Sequence, residues 1–250
     1  YNDPIFTGLA NFKTILFDSS NTYYAQLRKG LGNTVKFVIY VTPLCILVPF
    51  SIALATRQVA KGSKLLQAIY YLPSLMSTTT VMLTWKYFFN NTYGMANNLL
   101  GSTWNWFAPP YSWVMLVIVT VWWGCGGTMV IYQSALASVP TDQYEAAAID
   151  GAGMFTRFFR ITLPQLKSVS LVIVFIHVIW TAINFDFIWV MTEGGPNYAT
   201  ETLPIMIYRY SMKKFNVGAA SALSTMMFTV MTILFVFYYR KREKINSQAG

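Results

Sequence analysis

Charged side chains are scarce in this sequence, acids most of all: nine Asp and Glu stand against 18 Lys and Arg among 250 residues. With 55% of side chains hydrophobic and a mean hydropathy of +0.43, too few polar groups remain to cover a water-soluble globule of this size. Histidine occurs once and cysteine twice, which leaves no metal-ligand set and no disulfide framework. Cys45 and Cys125 fall inside long apolar runs and read as small buried hydrophobes. The zinc-protease helix motif, the nucleophile elbow and the Gly-rich phosphate loop are also absent, so no catalytic residue is assigned. The net charge of +9 would suit a nucleic acid, but the bases sit at the ends of apolar runs rather than on one soluble face. Membrane lipid accounts for them, and no nucleic-acid partner is expected.

What the chain does have is five stretches almost free of charge, at about 35–56, 65–89, 111–136, 168–191 and 218–239. Each is long enough to cross the roughly 30 Å hydrocarbon core of a bilayer as a helix. Barrel strands are excluded, because the runs are too long and do not alternate. The sequence therefore predicts an all-α integral membrane protein with five transmembrane helices. A polar lead-in precedes them at 1–32, and a basic tail follows at 240–250.

Five spans put the ends on opposite sides. The tail bases Arg240, Lys241, Arg242 and Lys244 belong in the cytoplasm by the positive-inside rule, which places the N-terminus outside. Loops 57–64 and 137–167 are then cytoplasmic and add Arg57, Lys61, Lys64, Arg157, Arg160 and Lys167. Segment 90–110 is uncharged and carries Trp104 and Trp106, as expected of an aromatic collar at the headgroups. Loop 192–217 reads as an ordered outer loop.

The most patterned stretch lies between the third and fourth spans, from Ser138 to Pro164. Thr141 is placed to cap a short helix that carries Asp142 and Glu145 near its positive end, followed by Ala146, Ala147 and Ala148. Asp150 precedes Gly151, which with Gly153 is expected to end it. A second short helix sets Phe155, Phe158 and Phe159 on one side and Arg157 and Arg160 on the other, until Pro164 closes it. Such an aromatic knob suits either a groove on a soluble partner or the lipid surface.

The order Glu145-Ala-Ala, Gly151, Ile161, Leu163-Pro164 resembles the EAA motif of permease subunits in binding-protein-dependent ABC importers. The wider Tyr144–Ala152 segment is similar to the carbohydrate branch. So are Tyr70-Tyr-Leu-Pro73, Trp85, Phe6-Thr-Gly-Leu-Ala-Asn-Phe12 and Thr192-Glu-Gly-Gly-Pro196, the last marking the maltose-type first permease subunit. The resemblance covers essentially the whole chain. It implies the type I importer permease (MetI-like) fold in a prokaryotic plasma membrane. It also implies a coupling helix formed by Glu145, Ala146, Ala147, Asp150, Gly151, Phe155, Phe158, Phe159, Ile161, Leu163 and Pro164. The implied partners are a second permease, two cytosolic ATPase subunits that hold ATP and Mg, an extracellular solute-binding protein and a sugar; this chain itself holds no cofactor. Relatives of this type usually carry one more spanning helix before the segment matching Phe6–Phe12, which either precedes this sequence or is lacking from the subunit.

A path for a polar solute needs polar and aromatic side chains facing the bundle interior. His177, Thr181 and Asn184 fall on one helical face at i, i+4 and i+7. The third span offers Thr120, Trp122, Trp123, Gly124 and Gly127, where an indole can stack on a sugar face and a glycine admits close approach. Packing explains these residues equally well and is preferred for Gly126. Carried across by distance from the EAA motif, the sugar contacts of maltose-type relatives land on Thr120, Trp122, Trp123, Gly124, Gly127, His177 and Thr181. Asp186 is expected to anchor a loop or pair with a base such as Arg209. Ser74, Thr78, Thr79 and Thr80 are placed to bond carbonyls freed by a kink at Pro73. No Lys or Arg lies at mid-depth of a span, which favours a neutral sugar. Glycerol phosphate, an amino acid or a peptide remain as alternative cargoes, and a stand-alone secondary transporter is the competing class.

Overall fold

The computed structural model describes residues 6–58 and 63–247. Lys61 and the side chains of Arg57 and Lys244, counted above for orientation, lie outside the described residues. Every regular element described is helical, as the bilayer requires of a chain whose backbone polar groups must be satisfied internally.

A short α1 (Ala10–Phe17) leads into α2 (Thr22–Gln58). At 37 residues α2 is ~55 Å long, well beyond the ~30 Å hydrocarbon thickness of a bilayer. Next come α3 (Ser63–Leu75), α4 (Thr78–Phe88), α5 (Met95–Leu100) and α6 (Tyr111–Ala137). Then follow α7 (Thr141–Ile149), α8 (Met154–Arg157), a π-helical turn at Phe158–Thr162, α9 (Leu163–Gln165) and α10 (Lys167–Ala182). The chain closes with α11 (Asp186–Thr192), α12 (Leu203–Tyr208), a second π-helical turn at Arg209–Lys213 and α13 (Val217–Ser247).

Five uninterrupted spans are not what forms. Among the described residues three helices are long and apolar enough to cross a membrane: α2 over Thr22–Thr56, α6, and α13 over Val217–Glu243. A fourth crossing exists if Met154–Gln165 and α10 count as one span, bent by 64°. The predicted span 65–89 breaks at Met76 and Ser77, just past Pro73, which has no N–H to give the carbonyl four residues back. Ser74 Oγ donates to Tyr71 O at 2.7 Å beside that kink. The predicted span 168–191 breaks at Ile183–Phe185, where the cap N–H of Ile183 closes α10 on Ile179 O and Thr181 O. Asp186 opens α11 beyond this break, exposed at the positive end of that helix. It does not pair with Arg209, whose Nε meets Glu201 Oε1 at 2.8 Å instead.

The core sits where α2 and α6 cross: Phe37, Val41 and Cys45 interlock with Met115, Leu116 and Val119, all fully buried. A polar tie, Gln133 Nε2 donating to Thr56 Oγ1 at 2.8 Å, joins the same helices toward their far ends. At the opposite end Trp104 stacks on Tyr111 with centroids 4.8 Å apart. Trp106 is buried there and donates from Nε1 to Asn97 Oδ1 at 2.8 Å.

Candidate functional site

Two regions hold the residues singled out by sequence. In the 138–164 loop, α7 starts at Thr141 itself, so Thr141 is the first helical residue and makes no capping bond; Pro140 holds the cap position. The end of α7 is tightly built. Gly151 adopts φ +74°, its N–H reaches Ala148 O at 3.1 Å, and Ala152 N–H reaches Ala147 O at 2.8 Å. This pair of bonds is a Schellman motif, which needs the left-handed conformation that glycine adopts without cost.

No residue of α7 or α8 is buried, so this handle packs on the bundle only through a few side chains. Tyr144 Oη and Thr162 Oγ1 lie 2.9 Å apart, and Gln165 donates to Gln143. The three phenylalanines do not act alike. Phe158 is half-buried, with its ring 6.1 Å from Phe50 of α2 and 5.0 Å from Phe159. Phe155 and Phe159 are 77% and 60% exposed, and Ile149 at 87% and Met154 at 65% extend the apolar patch. Glu145, Ala146, Asp150, Leu163 and Pro164 are exposed as well, while Ala147 and Ile161 are half-buried. Pro164 does not close the helix. The π-helical turn carries the chain past it, with Leu163 N–H bonded to Phe158 O, and the bend falls at Leu166. A proline cannot serve the carbonyl four residues back, and one wider turn absorbs that loss.

The second region lies between α6 and α10. His177 Nε2 and Thr128 Oγ1 are 2.8 Å apart. Trp123 lies nearly parallel to Trp180 at 6.1 Å and 6°, and Phe187 meets both rings edge-on. His177 and Trp180 are also in edge contact, at 6.2 Å. His177, Thr181 and Asn184 are all buried, although Asn184 sits in the break after α10 rather than on its helical face. Four buried polar atoms in this group, Trp123 Nε1, His177 Nδ1, Thr181 Oγ1 and Asn184 Oδ1, have no hydrogen-bond partner in the structure. Buried polar groups are nearly always paired, so these four leave unused hydrogen-bonding capacity on this face.

The remaining members divide. A side chain at Gly127 would meet nothing within 4 Å, and one at Gly124 only Cys45 Sγ at 3.9 Å, so both leave open surface. Thr120 is fully buried and its hydroxyl already donates to Leu116 O at 2.6 Å. Trp122 points elsewhere: it is 40% exposed and packs edge-on against Trp85 of α4 at 5.3 Å. Gly126 is a packing residue, since a Cβ there would lie 2.6 Å from Tyr71 Cα. Thr128 and Trp180 escaped the sequence reading. Trp180 is one helical turn from His177, a spacing that signals a shared face; Thr128 is 49 residues away and gives no such signal.

Beyond α11 the chain folds back on the first half of α2. Asn33 Nδ2 donates to Tyr198 O at 3.1 Å and to Glu201 O at 2.9 Å, and Leu203 N–H donates to Thr34 Oγ1 at 2.9 Å. Glu201 is buried, and burial pushes its carboxyl above the ordinary range, against the opposing pull of Arg209, Lys214 and Lys29. A carboxyl raised by folding favours the folded loop at low pH, and that contribution is lost as pH rises through the raised value. Amide exchange in 194–202, corrected for intrinsic rate, is therefore expected to be no faster at pH 5 than at pH 7; faster exchange at pH 5 would contradict this assignment.

Residues 47–245 match the family described as the binding-protein-dependent transport system inner membrane component. The chain is 31% identical over 244 residues to the sn-glycerol-3-phosphate transport system permease protein UgpA of Escherichia coli O6:K15:H31, covering 95% of this chain and 80% of that one. It is 34% identical over 242 residues to the trehalose/maltose transport system permease protein MalF of Thermococcus litoralis, covering 94% and 79%. Among solved structures, a chain of a bacterial ABC transporter involved in import of the acidic polysaccharide alginate superposes with a TM-score of 0.86 at 22% identity, over 98% of this chain and 86% of that one. A chain of the alginate transporter in complex with its alginate pentasaccharide-bound periplasmic protein gives 0.80 at 23% identity, over 94% and 86%. With four-fifths of its length matched, this chain belongs to the family of inner-membrane permease components of binding-protein-dependent ABC transport, as a multi-pass membrane protein of the MetI-like fold.

Proposed function

We propose that this subunit forms half of the path for a neutral sugar or oligosaccharide, which an extracellular binding protein delivers and a cytosolic ATPase drives inward. The carrying observation is the α6–α10 face: two parallel indoles, a histidine and unpaired hydroxyl and amide groups, with no cation among them. Indole rings suit the apolar faces of a sugar, and orphaned donors and acceptors suit its hydroxyls. The groups are buried in this conformation, so on this reading α6 and α10 part to admit solute.

Relatives carry both kinds of cargo in their names, a glycerol phosphate and a disaccharide. Charge separates the two. Lys86 donates to Val190 O and Arg209 is engaged with Glu201, which leaves neither at the proposed path. A phosphate there would lack a counter-charge. On this reading the C-terminus and the 138–164 loop face the cytoplasm, a second permease completes the path, and two ATPase subunits grip the loop. ATP and Mg belong to those ATPases.

Uptake into vesicles of the reconstituted complex tests the reading. Trp123→Ala is expected to weaken apparent affinity for maltose or trehalose roughly two- to tenfold, the worth of a lost aromatic stack. Trp122→Ala, whose ring packs on Trp85, is expected to leave affinity unchanged. Competition by glycerol 3-phosphate at concentrations where neither disaccharide competes would overturn the neutral-sugar assignment.

A further inference from the structure

Along α2 and α6, near the tryptophan end of the bundle, lies a groove of about 610 Å³. It is lined by Lys36, Tyr40 and the largely buried Trp113 together with the aliphatic Leu44, Val117 and Ile118. Those three residues also line a second groove of about 540 Å³ that continues down α2 to Ile52. The two form one apolar channel along the outside of the bundle.

Lys36 is half-buried, and its Nζ lies 5.0 Å from the Trp113 ring centre and 5.7 Å from that of Tyr40. No carboxylate pairs with it among the described residues, where the single ion pair is that of Arg209 and Glu201. Two rings thus hold an ammonium against a greasy slot, with no anion supplied by the described residues. A helix of another subunit laid into this slot would have to supply a carboxylate at that one point or bury the charge unpaired. An anionic lipid brings its own phosphate to the end of an apolar tail. From Lys36 to Leu44 is eight residues, ~12 Å along the helix, against the ~15 Å of hydrocarbon in one leaflet. A phosphate at Lys36 therefore places an acyl chain over the whole first groove.

We propose that this channel is a binding site for an anionic glycerophospholipid, with its phosphodiester on Lys36 between Trp113 and Tyr40 and one acyl chain lying along Leu44, Val117 and Ile118. Zwitterionic lipids carry their own ammonium beside the phosphate and compete with Lys36 for it, so net negative charge is selected.

The test uses the assembled transporter in detergent, delipidated and titrated with phosphatidylglycerol or phosphatidylcholine while bound lipids are counted by native mass spectrometry. The wild type is expected to hold phosphatidylglycerol at one site more than Lys36→Gln, with apparent affinity at that site at least about tenfold tighter. Lys36→Arg is expected to keep the site. Equal retention by Lys36→Gln, equal retention of phosphatidylcholine, or capture of the second permease by a photo-crosslinker at Ile39 would each overturn the proposal.

Discussion

Gly151→Pro abolishes solute uptake while the membrane bundle still assembles; that is the expected result, and it follows from two bonds and one dihedral angle. Gly151 sits at φ +74° and gives its N–H to Ala148 O. Proline is fixed near −65° and has no N–H, so it breaks both halves of the motif that turns α7 back toward α8. The loss is on the order of 2–3 kcal/mol, confined to a segment with no buried residue. Apolar packing of the spans is untouched, so expression and detergent stability should match wild type. The exposed patch of Ile149, Met154, Phe155 and Phe159 loses its arrangement, and with it the surface proposed above to meet an ATPase. Uptake should fall to background while basal ATP hydrolysis persists. Normal uptake would show that the turn is not part of the coupling.

Gly126→Leu should have the largest effect on stability. A Cβ at this position lies 2.6 Å from Tyr71 Cα, a backbone atom that no side-chain rotation relieves. Helices in lipid gain little from burying apolar surface against each other and depend on close approach at small residues. Forcing α3 away from α6 is expected to cost on the order of 3 kcal/mol, read as a lower melting temperature of the purified complex and reduced accumulation. Gly127→Ala is the control. Nothing lies within 4 Å of its added methyl group, and alanine favours the helix by about 1 kcal/mol. If both substitutions leave the melting temperature unchanged, the tight crossing of α3 on α6 is not what holds these helices together.

The helical membrane architecture was legible because a bilayer permits so few alternatives: charge-free runs of this length have almost nothing else to become. Breaks within the runs were harder to see. Ile183, Asn184 and Phe185 include neither proline nor glycine, and hydropathy does not register where a helix stops when both halves are apolar. The handle was legible in its Gly151 turn, which follows from the special conformation of glycine. Its aromatic face was only partly so, because 3.6-residue periodicity places Phe155, Phe158 and Phe159 together whereas the structure buries Phe158 against Phe50. The α6–α10 face shows the same division. His177 and Thr181 share a helix and a spacing, but Thr128 reaches His177 from another helix, and no local pattern encodes that meeting. The clamp of Asn33 on Tyr198 and Glu201 spans more than 160 residues and was invisible for the same reason.

The 64° bend at Leu166 gives the short segment 154–165 the geometry of a crank. Its near arm is fastened to α7 through Thr162 and Gln165, and its far arm is α10, which carries His177 and Thr181. A straight rod pushed from below would only slide along its own axis. A cranked one turns sideways thrust into tilt, so a tug on the handle parallel to the bilayer would swing the histidine-bearing arm relative to α6 and pry at the Thr128–His177 contact.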